Sequence, residues 1–446
     1  MDATVELLQT LIRNRCVNDG TRTSGDETRN ADVLQAFVER SGVDVERWEP
    51  VPGRASFVAR LPGRDPAAPS LCLMGHTDVV PVDETGWDRD PFGAEVVPNA
   101  DGIDEVWGRG AVDMLNMTAS MAVAFRDLAD GGFRPKGDLV FFAVADEEAG
   151  SAYGARWVAD EHRDAIAVDY VITENGGLHD GGDDDPVVTV TVAEKGVAWR
   201  RLRVTGMSGH GSAPFRKDNA LVKAAAVINR LAHYRPAPRF HELWNDKVRH
   251  MDIDASTRAV LLDPAAIDDL LAGMPNAAAA GHLHACTHTT FSPNLVDGGA
   301  MKTNVIPGTV DLDVDIRTMP GESAEDVDAH LRAALGDLYD DVTVTVLIDD
   351  PASISRTETP LWDALQTAVS IPFPGSRLSP TFCVGFTDAR VFRELGATAY
   401  GAGLFSRSLA PDEYGTRFHG NNERIDVESL TLTTDFYRRV VAAFMG

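Results

Sequence analysis

Three runs of the chain are apolar at nearly every position and then stop abruptly at histidine or acid. Residues 70–76 read SLCLMGH, residues 138–150 read DLVFFAVADEEAG, and residues 168–176 read VDYVITENG. A strand with one wet face alternates apolar and polar residues. An unbroken apolar run of this length therefore predicts a strand covered on both faces. Between such runs lie stretches of period near 3.6, at 117–130 and 152–161, which predict helical crossovers. Further helices are expected over 5–18 and 30–41, and a strand over 56–63. The sum is an α/β fold, with a mostly parallel sheet and helices on both of its faces.

The pattern changes after the acidic, Gly-rich loop at 179–186. Residues 187–206, VVTVTVAEKGVAWRRLRVTG, alternate as a half-exposed antiparallel strand does, and so do residues 302–320. Helices are expected over 219–234 and 323–338, a last strand over 342–348, and partly helical structure over 240–290. From about 355 the chain returns to helices and apolar strands such as ATAYGAGL at 397–404. At 446 residues the chain exceeds one typical domain. The expected organisation is a first domain over 1–192, an α+β insert over 193–351, and completion of the first domain over 352–446.

Composition narrows the partners. A net charge of −27 disfavours nucleic acid and anionic membrane surfaces. The N-terminus, MDATVELLQTLIRNRC, reads as an amphipathic helix with acid in its first turn, not as a secretory signal. Cys16, Cys72, Cys286 and Cys383 are scattered, with no CxxC pair, so a cytoplasmic setting is expected.

Residues able to bind metal sit where the apolar runs end. His76 and Asp78 follow the first, Asp146, Glu147 and Glu148 the second, and Glu174 the third; Asp113 stands in the Gly-rich GRGAVDM before a helix, and His419 is a late candidate. In an open parallel sheet, loops at the carboxyl ends of the strands converge on one crevice. Histidine with several carboxylates suits a two-metal hydrolytic site, where a bridging carboxylate and terminal ligands hold ions about 4 Å apart. Imidazole and carboxylate together suit zinc, with cobalt or manganese as substitutes. A further carboxylate that is not a ligand must then shuttle a proton, and the neighbours Glu147 and Glu148 can divide those tasks. Asp78, two residues after His76, is placed to hydrogen-bond the imidazole and set its tautomer.

With these residues stand longer motifs: GHTDVVP, GRGAVDM, ADEEAGS, ITENGG, VAEKGVAWRRLRVTGMSGHGSAP, TNVIPGTVDLDVDIR and FHGNNERI. In this order they resemble the aminoacylase, acetylornithine deacetylase, succinyl-diaminopimelate desuccinylase and carboxypeptidase family of co-catalytic zinc hydrolases, over nearly the whole chain. The resemblance implies that His76 and Glu174 hold one zinc ion, that Glu148 and His419 hold the other, and that Asp113 bridges them through a cis bond to Met114. It makes Glu147 the general base and then acid, with Asp78 as partner of a ligand. It makes the insert a ferredoxin-like lid and homodimerisation domain, a four-stranded antiparallel sheet with two helices. His210 would then reach a partner's active site to polarise the scissile carbonyl. Asn304 and Arg317 would contact substrate, with Arg317 suited to a carboxylate, and Thr387 and Arg390 of GFTDAR would lie on a substrate-side loop.

Three features depart from the family pattern. Leu115 follows DM where lysine is frequent, Phe386 replaces a small residue, and the lid is lengthened through 240–290. The expected activity is cleavage of an amide or peptide bond next to a free carboxylate, in a small substrate such as an N-acyl amino acid or short peptide. The choice between peptidase and deacylase stays open at this point, as does a non-catalytic member that keeps the fold for binding or dimerisation. A nucleotide-binding dehydrogenase is disfavoured, because no GxGxxG follows the first strand.

Overall fold

The computed structural model describes residues 2–180, 186–251, 253–300 and 302–446. Most of the acidic loop, residues 181–185, lies outside the described residues. Ten strands form the main sheet, and its centre is parallel. Leu71–His76 lies between Leu139–Val144 and Tyr170–Thr173, and Thr398–Gly401 pairs with Tyr170–Thr173, all in parallel register. Every residue of Leu71–His76 and Leu139–Val144 is buried, as the unbroken apolar runs require. The margins are antiparallel: Ser56–Leu61 pairs with Leu139–Val144, and Asp44–Trp48 with Ser56–Leu61.

Both faces of this sheet are covered. The helices Ala3–Arg13, Leu115–Asp130 and Val427–Met445 share one core with it. Ala155–Glu161 and Ala389–Glu394 pack on the other face, against Val58, Met74 and Phe142. The first eleven residues of Leu115–Asp130 are buried without exception. That helix lies so close to the sheet that a β-carbon on Gly75 would sit 2.3 Å from the Thr118 hydroxyl. Gly75 therefore precedes the histidine for a packing reason, and Thr118 Oγ1 in turn donates to the His76 carbonyl at 2.9 Å.

Residues 187–206 are not one half-exposed strand. They divide into Val187–Glu194, Gly196–Val197 and Arg200–Thr205. The first piece is almost fully buried and belongs to the main sheet, where Arg377–Cys383 pairs with it in parallel. Its valine–threonine alternation reflects small residues packed on both faces rather than exposure. The chain then leaves for a second sheet at Lys195–Gly196. A β-carbon at Gly196 would lie 2.1 Å from Thr318 Oγ1, so only glycine passes there.

The second sheet is antiparallel. Thr309–Thr318 is paired by Gly196–Val197, Arg200–Thr205 and Thr290–Gly298, and Arg200–Thr205 is paired by Val342–Val346. Its alternating burial matches the sequence pattern. The helices Ala220–His233 and Ala324–Leu335 cover one face through Val227, Leu231, Val327 and Leu331. The sequence pattern gives three segments of this sheet; the fourth strand that the resemblance implies is Thr290–Gly298, which its Pro293 and polar residues conceal from a pattern reading.

Residues 240–290 fold into four short helices, Glu242–His250, Ala255–Leu261, Ile267–Gly273 and Ala277–Ala285. They share a small core of Trp244, Val248, Leu261, Ile267, Leu271 and Cys286. The buried Lys195 ties this group to the main body: its Nζ donates to the carbonyls of His288 (2.6 Å) and Ala285 (3.1 Å). The latter closes Ala277–Ala285, where a cation also opposes the helix dipole. Among the described residues, no helix is long and apolar enough to cross a membrane.

Candidate metal centre

The carboxyl ends of the central strands open into a cavity of 710 Å³, within the range of small-molecule sites. Each strand-end residue arrives by a distinct turn. His76 is the last residue of its strand. Asp113 precedes the helix Leu115–Asp130 and is joined to Met114 by a cis peptide bond. Glu147 and Glu148 open a single 3-10 turn after Asp146, which adopts a left-handed φ of 67°. Glu174 directly follows Tyr170–Thr173. His419, also left-handed with φ 54°, comes shortly after the helix Pro411–Arg417.

These side chains meet. His76 Nε2 lies 3.2 Å from Asp113 Oδ1 and 3.9 Å from Glu174 Oε1. His419 Nε2 lies 3.2 Å from Asp113 Oδ2 and 3.1 Å from Glu148 Oε2. Asp113 thus stands between the two histidines, one oxygen toward each. Potential ligand atoms of His76, Asp113 and Glu148 fall within 4.8 Å of one another, and so do those of His76, Glu147 and Glu174.

The electrostatics call for cations. Burial, then the neighbouring acids, pushes the Glu147 and Glu174 carboxyls well above their usual range, and Glu148 up to about 7. Burial also works against the charge on Asp113, but its bonds from His419 and His76 outweigh this and hold it below the usual range. The same bonds, to Asp113 and then Glu148, push His419 up to about 10. Glu147 Oε1 and Glu148 Oε1 are buried with no hydrogen-bond partner. Four buried carboxylates against two imidazoles, with two oxygens orphaned, fit a pair of divalent cations. The mixed nitrogen and oxygen donors fit zinc, cobalt or manganese better than calcium, which takes oxygen alone.

Asp78 works differently from the expectation. The nearest acceptor for His76 Nδ1 is the backbone carbonyl of Asp78, at 3.0 Å, with its carboxylate 3.5 Å away. A carbonyl only accepts, so Nδ1 carries the proton and Nε2 keeps a lone pair for metal when the ring is neutral. The carboxylate itself accepts from the backbone N–H groups of Glu147 (3.3 Å) and Glu148 (3.2 Å) and from Asn18 Nδ2 (2.9 Å). Asp78 therefore positions both the histidine and the acidic turn.

Two further groups escape a reading of the sequence. The buried Glu423 accepts from the backbone N–H groups of Gly110 (3.0 Å), Val112 (2.6 Å) and Asp113 (3.0 Å), and from Arg109 (2.8 Å). It pins the loop that carries Asp113. Asn18, Glu27 and Arg54 form a buried network behind Asp78 and Asp146. Neither group faces the cavity. Asn18, Glu27 and Arg54 stand in otherwise ordinary segments, whereas Glu423 stands within FHGNNERI, where the histidine draws the metal reading.

The lid residues lie apart from this cluster. His210 is exposed on the short strand Gly209–His210, where its Nδ1 accepts from the Ser212 hydroxyl at 2.7 Å. Asn304 is exposed beside it, its carbonyl accepting from Gly211. Neither lines the cavity. Arg317 does line it. Its Nε and Nη2 donate to Asp315 at 2.6 and 3.1 Å, its guanidinium lies over the Phe386 ring, and its buried Nη1 has no partner. Thr387 and Arg390 are buried below the cavity wall and occupied. Thr387 Oγ1 donates to Glu194, and Arg390 binds Asp350, Ser151 and the Thr387 carbonyl. Both hold the loop whose Phe386 faces the cavity.

The chain is similar to proteins of known activity. Aminoacylase-1A of Rattus norvegicus is 26% identical over 414 residues, covering 92% of this chain and 88% of its own. The N-fatty-acyl-amino acid synthase/hydrolase of Xenopus tropicalis is 27% identical over 397 residues, covering 87% and 75%. The fold resembles that of an M20 metallo-carboxypeptidase from Sulfolobus solfataricus, with a TM-score of 0.74 at 16% identity, over 100% of this chain and 99% of that one. Residues 72–443 match peptidase family M20/M25/M40, which takes in the four central strands and all the residues gathered around Asp113. The chain belongs to that family and is a metal-dependent hydrolase.

Proposed function

We propose that this protein hydrolyses an amide or peptide bond next to a free carboxylate, in an N-acyl amino acid or a short peptide, with two zinc ions. The observation that carries the reading is Asp113, whose two oxygens face two histidines, each histidine backed by a second carboxylate. His76 and Glu174 would hold one ion, Glu148 and His419 the other, and Asp113 both. Such a pair, when bound, supplies Lewis acidity for a carbonyl oxygen and lowers the pKa of a water.

The other roles belong to the chain itself. Glu147 Oε1, buried and without a partner, takes the proton of the attacking water and passes it to the leaving nitrogen. The Asp78 carbonyl keeps His76 in the tautomer that leaves Nε2 free. Arg317 Nη1 receives the substrate carboxylate, because its other two guanidinium nitrogens are engaged by Asp315. The names of the rat and frog relatives support an N-acyl amino acid, and so do the apolar walls formed by Leu178, Val384, Phe386 and Phe418. His210, exposed and outside its own cavity, fits a role in the site of a second copy, with the lid as dimer interface.

The test is Glu147→Gln. It should keep its metal content while kcat falls about 10²–10⁴-fold, the range for lost acid–base catalysis. Loss of metal instead would make Glu147 a ligand and overturn its assigned role.

A further inference from the structure

One wall of the cavity is the helical group of 242–285. The helix Glu242–His250 packs beside Arg377–Cys383, the His241 ring lies tilted against Phe382 at 4.6 Å, and Val384 joins the small core of that group. Phe382 and Val384 both line the cavity, so the helices are docked on it, and they add Lys247 and His282 to its lining.

Lys247 is the anomaly. The chain carries 68 acidic residues against 41 basic ones, and Lys223, on the helix Ala220–His233, holds both Asp218 and Asp341. Lys247 is half-buried in the cavity wall, yet no carboxylate among the described residues lies within ion-pair distance of it. Of the acids of the cavity floor, Asp113, Glu148 and Glu174 lie beside the two histidines. A lysine stem can serve as apolar wall with its charge carried to water. Here, however, Lys247 lines the same cavity as Arg317, whose Nη1 is free, and does so from a separate element. Arg317 sits on Phe386, whereas the wall of Lys247 sits on Phe382 and Val384.

We infer that Lys247 is a specificity-determining residue: it receives a second anionic group of the substrate, at the end of an acyl or side chain that runs from the scissile amide along the apolar wall. This rests on the hydrolase reading above, with Arg317 taking the first carboxylate. The insertion of 240–290 would thus select doubly anionic substrates over equally long, singly charged ones.

The metal-loaded enzyme would be given two matched pairs: N-glutaryl- against N-pentanoyl-L-phenylalanine, and N-suberoyl- against N-octanoyl-L-phenylalanine. In the wild type the kcat/KM ratio of dianion to monoanion should be about tenfold or more for one pair. Lys247→Met should lower that ratio about tenfold through KM, and Lys247→Arg should restore most of it. A ratio equal in wild type and Lys247→Met overturns the inference, as does wild-type preference for the monoanion in both pairs. Calorimetric titration of the same dianions into Glu147→Gln, with and without Lys247→Met, reads binding without turnover. Silence of all four substrates would then count against the hydrolase reading. A Kd for both dianions that does not move when Lys247 is replaced would count against this inference alone.

Discussion

The floor of the cleft and its helical wall are held by opposite means. On the floor, every ligand candidate but His419 leaves a buried central strand or the loop before a buried helix, and backbone hydrogen bonds to Asp78 and Glu423 fix the turns between. The wall is four helices of seven to nine residues around six buried side chains, docked on Phe382 and Val384 and tied by a buried lysine. Chemistry that tolerates no misplacement is thus built on over-determined backbone, whereas the surface that meets the rest of a substrate is a small, separable cluster. Changes in the wall should leave the floor intact, and changes in the floor should abolish function without disturbing the wall.

The sharpest way to probe the floor without touching a ligand is Glu423→Gln. It keeps the shape but removes the charge that three backbone N–H groups and Arg109 share. Metal affinity, followed by competition with a chelator, should fall about 10–100-fold, the range for losing a group that orients a ligand. Unchanged affinity would mean that the Asp113 loop holds itself.

On the wall, Lys195→Met removes the donor to the carbonyls of Ala285 and His288. Leaving buried acceptors unpaired costs about 1–3 kcal/mol. Amide exchange over 277–290 should quicken while metal content stays at its wild-type value. A parallel loss of metal would break the separation between floor and wall.

The least effect is expected in the lid. Burial works against the charge on Glu322, but bonds from His330, Thr289 and the Met319 N–H outweigh it and pull the carboxyl down to about 2. A carboxyl lower in the folded than in the unfolded state stabilises above its ordinary value near 4.5 and loses that contribution as pH falls toward 2. The melting temperature of the wild type should therefore drop more steeply than that of Glu322→Gln over that window. Equal slopes would remove Glu322 from the account.

How much of this the sequence shows follows the same division. His76, Glu148 and Glu174 are legible as candidates because metal chemistry restricts residue type and parallel sheets restrict place, whereas Asp113 rests on the Gly-rich loop before a helix and His419 on the motif FHGNNERI. Glu423 and Asn18 are not legible, because they act on backbone and on other side chains and hold no ligand position, even though Glu423 stands within FHGNNERI. The wall is hidden for another reason: AAAAGHLHA at 277–285 has no apolar face of its own, and it is held by a lysine some ninety residues away. The break at Gly196 is visible only when two sheets must be threaded past Thr318.

The central claim is that one carboxylate, Asp113, organises two metal positions. The direct measurement is to strip the protein with chelator and titrate zinc, cobalt or manganese back, counting ions bound per chain while following free-amine release from an N-acyl amino acid. The account predicts no turnover in the stripped protein, saturation at two ions per chain, and loss of both positions in Asp113→Ala. Turnover that survives stripping, or an Asp113→Ala chain that still binds two ions with wild-type affinity, would contradict it.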